Sequence, residues 1–187
     1  MIERLIPVIF YFSVMFSTVR TQCNVGGYYW RDFTGDIPLD ALPGGTDING
    51  HPIFIAQVFS ENLLAPAKVY INDPKAYYAY EGEELHTADN IKILCTKHPE
   101  LFEWIKSNNH DIKLITNKEL VIGGFQPMAT TYIGRMRHGG EILVGKILAD
   151  TFPVFEGLYV TSRGKVTAHT SFEVLAFCRN LPIMIKK

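Results

Sequence analysis

The chain has 187 residues, 47% of them apolar and 12% aromatic, with 18 basic and 19 acidic side chains for a formal net charge of −1. A chain of this size buries roughly 70% of the surface its unfolded form exposes, so the core requires neither a structural metal nor a dense disulfide framework. Balanced charge without a basic run excludes the electrostatic footprint of a nucleic-acid binder.

At the N-terminus, Arg4 precedes an apolar stretch from Leu5 to Phe16 that fits the core of a signal peptide. A spanning helix needs about twenty apolar residues, and Pro7 sits badly inside one, so no stable membrane insertion is expected. Val19 and Thr21 place cleavage before Gln22, with Ser17 a second candidate. Residues 1–21 are thus read as a signal peptide and the mature chain as secreted and extracellular. An uncleaved anchor and a buried N-terminal strand are the alternatives. In that compartment Cys23, Cys95 and Cys178 allow at most one intramolecular bridge, with one thiol left over or paired between chains. Cys95 and Cys178 each follow an apolar run and read equally well as small buried residues.

The rest of the chain is a tandem repeat. Phe54-Ile55-Ala56-Gln57-Val58 superposes on Tyr132-Ile133-Gly134-Arg135-Met136 at a shift of 78, and the same shift carries Ala67-Lys68-Val69 onto Gly145-Lys146-Ile147. Two lysines therefore occupy equivalent places. Ile91-Lys92-Ile93-Leu94 matches Phe172-Glu173-Val174-Leu175 at a shift of 81, and Trp30 and Trp104 open the two units. The units are 22–97 and 98–187, about 75 residues per repeat.

Within each unit, short β-branched and aromatic runs alternate with Gly, Pro and Asn turns. In the first unit the expected strands are Pro52–Phe59, Leu64–Ile71, Ala76–Tyr80 and Asn90–Leu94, and in the second Thr130–Arg137, Glu141–Leu148, Phe155–Val160 and Phe172–Ala176. Pro99 could open a helix with Leu101, Trp104 and Ile105 on one face. The match of Trp104 to Trp30 argues against it. The fold class is all-β, two pseudo-symmetric repeats in one compact body.

Trp30, Asp36-Ile37-Pro38, Ala41-Leu42-Pro43-Gly44-Gly45-Thr46-Asp47-Ile48-Asn49-Gly50, Phe54-Ile55-Ala56 and Pro66-Ala67-Lys68-Val69 resemble one unit of the DM-nine repeat family. Tyr132-Ile133-Gly134-Arg135, His138-Gly139-Gly140-Glu141, Gly145-Lys146-Ile147 and Phe172-Glu173-Val174-Leu175 resemble a second. The family includes oyster lectins that bind mannose without calcium. The resemblance implies a sugar site made by an aspartate and a lysine, which map to Asp47 and Lys68. A carboxylate accepts hydrogen bonds from two sugar hydroxyls while an ammonium donates to a third oxygen. Read this way, both are ligand groups with little packing role. The competing reading is a turn-forming aspartate beside an unrelated surface lysine.

The second unit keeps Lys146, but the position 21 residues before it is Phe125, and sliding by one gives Gln126. Either that site has decayed, or Gln126 supplies an amide and Phe125 a ring face. Ala67 stands where the second unit has Gly145, and its methyl would clash if that turn needed a positive φ.

Other chemistry is poorly supported. Asp47-Ile48-Asn49-Gly50 begins like a calcium loop, but the closing Glu is replaced by Ala56. The six histidines are scattered, and no phosphate loop, dinucleotide fingerprint or nucleophile elbow occurs. Tyr77, Tyr78 and Tyr80 read as strand-face packing or as a sugar platform. No enzyme activity, cofactor or metal is expected. The function expected is a secreted, calcium-independent, mannose-type lectin of innate recognition, binding glycans as a homodimer or larger assembly, since a single shallow site is weak. The alternative is a secreted interaction protein that kept the fold without sugar binding.

Overall fold

The computed structural model describes residues 27–127, 129–149 and 157–177. The expected signal peptide, Cys23 and Cys178 lie outside them. The first unit contributes β1 (Tyr29–Asp32), β2 (Pro43–Thr46), β3 (Pro52–Ser60), β4 (Leu63–Tyr70), β5 (Ala76–Tyr80), β6 (Glu83–Thr87) and β7 (Ile91–Cys95). The second contributes β8 (Phe102–Asn108), β9 (Glu119–Leu120), β10 (Ile122–Gln126), β11 (Ala129–His138), β12 (Glu141–Leu148), β13 (Gly157–Ser162), β14 (Lys165–His169) and β15 (Ser171–Phe177). The fold is all-β, as the alternation of apolar runs and turns requires. Pro99 opens only one 3-10 turn, Pro99–Leu101. Trp104 then lies in β8 opposite Leu175, as Trp30 lies in β1 opposite Leu94.

Six antiparallel strands close on themselves. β3 pairs with β2 and β4, β11 pairs with β10 and β12, β2 also pairs with β12, and β10 with β4. A closed ring of pairings leaves none of these six strands at an edge. The ring has a pseudo-two-fold axis that exchanges β2 with β10, β3 with β11 and β4 with β12. Each short strand therefore pairs with its own hairpin on one side and with the other repeat's hairpin on the other. Two glycines make that approach possible. A Cβ at Gly45 would collide with the Ile142 carbonyl, and one at Gly124 with the equivalent Leu64 carbonyl. Outside the ring, β5 and β6 extend from β4 while β7 and β1 extend from β3. In the second repeat β13 and β14 extend from β12, and β15 and β8 from β11.

Ile53, Ile55, Ile133, Leu143, Ile147, Leu158 and Leu175 are fully buried in a core shared by both repeats, and a second cluster around Val58, Val69 and Ile93 lies under the first repeat. Burial of each such side chain stabilises the fold by about 1.5–3 kcal/mol. Ala67 is in the middle of β4, opposite Ala56 and Tyr78, and its φ is not positive. The feared clash does not arise, because the segment is a strand and not a turn. Its counterpart Gly145 is the tighter position, since a Cβ there would meet the Tyr159 carbonyl. Cys95 is fully buried and free, and burial pushes its thiol up to about 11.

Candidate functional site

The two repeat-equivalent lysines are buried, and this decides how the site is read. Lys68 is 1% exposed and Lys146 5%. Each lies on the second strand of a hairpin, Lys68 between Ala67 and Val69 and Lys146 between Gly145 and Ile147, and each faces a tyrosine on the next strand, Tyr77 for Lys68 and Tyr159 for Lys146. A buried ammonium needs acceptors. Each finds one in the other repeat: Lys68 Nζ donates to the Thr161 carbonyl of β13, and Lys146 Nζ to the Ala79 carbonyl of β5 at 2.9 Å. Desolvation lowers both lysines from the ordinary range to about 8, with Glu84 and Glu141 partly restoring the charge on Lys68.

Around Lys146 there is an open pocket of about 330 Å³. Lys146 Nζ donates to Gln126 Oε1 at 2.8 Å and lies 5.7 Å from the Tyr80 ring centre and 6.0 Å from that of Tyr159. Leu148 and Val166 complete the apolar wall, while Glu81 and Gly82, from the β5–β6 turn of the first repeat, form the rim. Both turn residues have positive φ, the geometry of a two-residue hairpin turn. Two of the three ammonium protons are committed, so one donor remains available to a ligand. Phe125 is half-exposed and does not line this pocket.

The equivalent region around Lys68 has different chemistry. Lys68 lies 5.6 Å from the Tyr70 ring, and Tyr70 packs edge-on against Tyr77 at 5.8 Å. Burial, then Glu141 and Glu84, push the Tyr70 hydroxyl up, with Tyr77 and Asp47 adding to the shift. Burial and the hydrogen bond to Asp73 push Tyr77 up to about 12. Glu84 accepts the backbone N–H of Gly164 at 3.0 Å, fastening the second repeat's β13–β14 turn here. The replacements are Tyr70 for Leu148, Glu84 for Val166 and Asp47 for Gln126. One site is acidic and phenolic, the other amide and apolar.

Asp47 and Lys68 are not joined by a hydrogen bond or ion pair. Asp47 is spent on its own loop: Oδ1 accepts the backbone N–H groups of Asn49 and His51, each at 2.8 Å, and Oδ2 lies 3.0 Å from His51 Nδ1. Partial desolvation opposes ionisation there, but these hydrogen bonds win and hold the carboxyl below its usual range. The expectation that Asp47 and Lys68 have little packing role is therefore corrected. Lys68 is a core residue bridging the repeats, and Asp47 organises a turn. Among the described residues, no group of three or more His, Cys, Asp or Glu side chains could hold a metal ion.

Gln126 and Lys146 do meet. The turn after β10 is one residue shorter than the turn after β2, since Thr46 pairs with Pro52 and Phe125 with Thr130. Counting back from the lysine by the first repeat's spacing lands on Phe125, whereas the register makes Gln126 the counterpart of Asp47. Tyr159 was not singled out from the sequence. The signal for it is Tyr77, which stands opposite Lys68 as Tyr159 stands opposite Lys146. Tyr78 is buried packing, whereas Tyr80 lines the pocket.

These features define a two-repeat β protein whose halves are locked together by exchanged lysines, one of them, Lys146, lining a pocket between the repeats. The DM9 repeat profile matches residues 16–87 and 47–154, and the chain belongs to the DM9 repeat family. Among solved structures it is similar to the nematode sperm cell motility protein MFP2B, with a TM-score of 0.56 and 15% identity over 86% of this chain. It spans 47% of that protein's length, and the likeness is one of fold. No curated protein sequence matches.

Proposed function

We propose that this protein binds neutral, mannose-type glycans without calcium, with the Lys146 pocket as its principal site. The observation that carries the reading is the lining of that pocket. An ammonium with a spare donor and an amide stand beside two tyrosine rings, in a space within the range that holds small ligands. A pyranose presents hydroxyls along one edge and C–H groups on its faces, which suits Lys146 and Gln126 on one side and Tyr80 and Tyr159 on the other. The Lys68 region, with Asp47, Glu84 and Tyr77, is a second and more polar subsite. Neither needs a metal.

The N-terminal sequence supports secretion, and the family resemblance supports a role in innate recognition. A monosaccharide in a single shallow site binds at about 0.1–10 mM. Surface recognition then requires several sites together, so a homodimer or larger assembly is part of the reading. Binding to immobilised mannan in the presence of a chelator tests it. Retention that is lost on Tyr80→Ala supports the proposal. No retention for any neutral glycan favours the alternative, an interaction protein that uses the fold without the sugar.

A further inference from the structure

A pair of equivalent recesses lies away from the Lys146 pocket, and the two members differ in charge. In the first repeat, Asp32, Gln57, Phe59, Leu64, Asn90 and Lys92 line a cavity of about 270 Å³. Lys92 is neutralised there by Asp32 at 2.5 Å, and Gln57 Nε2 donates to the Gly123 carbonyl at 2.7 Å. In the second repeat the corresponding residues are Lys106, Arg135, Arg137, Ile142, Ser171 and Glu173, around a cavity of about 610 Å³. Arg135 keeps the structural bond of Gln57, reaching the Gly44 carbonyl at 3.4 Å. It also stacks on Trp104, 4.2 Å from the ring centre, and donates to Glu173 at 2.7 Å.

Three cations therefore face one carboxylate. Among the described residues no ion pair reaches Lys106 or Arg137, and both are exposed. The one acid among the residues lining this recess is Glu173, already bonded to Arg135. Arg135 and Arg137 are two residues apart on β11, hence about 7 Å along the strand, and Lys106 lies two strands away, about 10 Å across β15. The cations do not converge on one point, so the arrangement suits a row of anions and not a single ion.

We propose that this recess binds a sulfated polysaccharide, with Lys106, Arg135 and Arg137 each meeting a charged substituent of the chain. The site is separate from the Lys146 pocket and does not depend on it. Concavity favours a chain over a flat bilayer. Three cations are also fewer than the 6–10 phosphate contacts typical of strong DNA binders.

Retention on immobilised heparin under a salt gradient is the test. The wild-type protein is retained, elutes with added salt, and ignores the desulfated polymer. Lys106→Glu with Arg137→Glu passes through unretained, and the milder Lys106→Gln with Arg137→Gln elutes early, each loss reducing the salt slope by about one. Lys92→Glu, in the equivalent recess, leaves retention as it was. Both charge variants must keep the wild-type β-sheet circular dichroism, and the glutamine pair serves if the glutamate pair does not fold. Wild-type protein that is unretained at low salt, or charge variants retained like wild type, overturn the proposal. So does binding to anionic phospholipid vesicles without binding to heparin.

Discussion

Lys68 and Lys146 stand at equivalent positions of the two repeats, and each donates its ammonium to a backbone carbonyl of the repeat it does not belong to. This exchange ties the β4–β5 and β12–β13 layers to one another across the pseudo-two-fold axis. A lysine that bridges repeats cannot be shortened without leaving a buried carbonyl unpaired, which costs about 1–3 kcal/mol. Lys68→Ala should therefore lower the thermal midpoint by several degrees, whereas Lys68→Met, which keeps the volume and removes the buried charge, should cost less. Calorimetric melts of the two variants make the comparison.

The same burial gives the protein an unusual alkaline response. Lys68 and Lys146 titrate near 8 when folded and near 10.5 when unfolded, so above about pH 8 the unfolded chain binds more protons and stability rises with pH. Cys95 opposes this from pH 9, because its thiol is at about 11 in the fold against 9.0 free. Tyr70 and Tyr77, both raised from 10.0, oppose it from pH 10. The expected profile climbs between pH 8 and 9, flattens between 9 and 10, and falls beyond. Urea midpoints across that range check it, and Lys146→Met should remove about half of the climb.

At Gly45, substitution by alanine pushes a methyl into the Ile142 carbonyl and breaks the seam between β2 and β12. A loss of about 2–4 kcal/mol is expected, comparable to the larger core defects. Gly50→Ala is the control for a glycine whose added methyl meets nothing, although its φ of +84 carries a strain of its own. Urea denaturation should rank the first well below the second.

For Asp47 the prediction is local. Removing its three hydrogen bonds by Asp47→Ala should speed amide exchange at Asn49 and His51 and destabilise the fold by about 1–2 kcal/mol. Asp47→Asn, whose amide oxygen can still accept from both N–H groups, should lie close to wild type. If both variants instead lost mannan binding without any change in exchange, Asp47 would act as a direct sugar ligand of the second subsite and not through its loop.

Much of the fold was legible in the sequence because repetition doubles every signal. Phe54–Val58 and Tyr132–Met136 each identify the other as a strand, and the pairing of Trp104 with Trp30 disposes of a helix that Pro99 alone would permit. The closure of the ring was not legible. It depends on Gly45 and Gly124 admitting a foreign carbonyl, and a glycine pair in sequence does not say which strand comes close. The site was half legible. Spacing located both lysines but not their burial, since a lysine between apolar neighbours reads the same whether its ammonium reaches solvent or a carbonyl in the other repeat. The one-residue difference in turn length hid the equivalence of Gln126 and Asp47, and with it the contact between Gln126 and Lys146.

The Lys146 pocket is proposed to hold a hexose. Calorimetric titration of the protein with methyl mannoside, in the presence of a chelator, tests it most directly when wild type is compared with Tyr80→Ala and Lys146→Met. The expected result is a dissociation constant of about 0.1–10 mM for wild type and no measurable heat for either variant, both still folded by circular dichroism. Equal binding by wild type and both folded variants, or no binding by wild type at millimolar sugar, would contradict it.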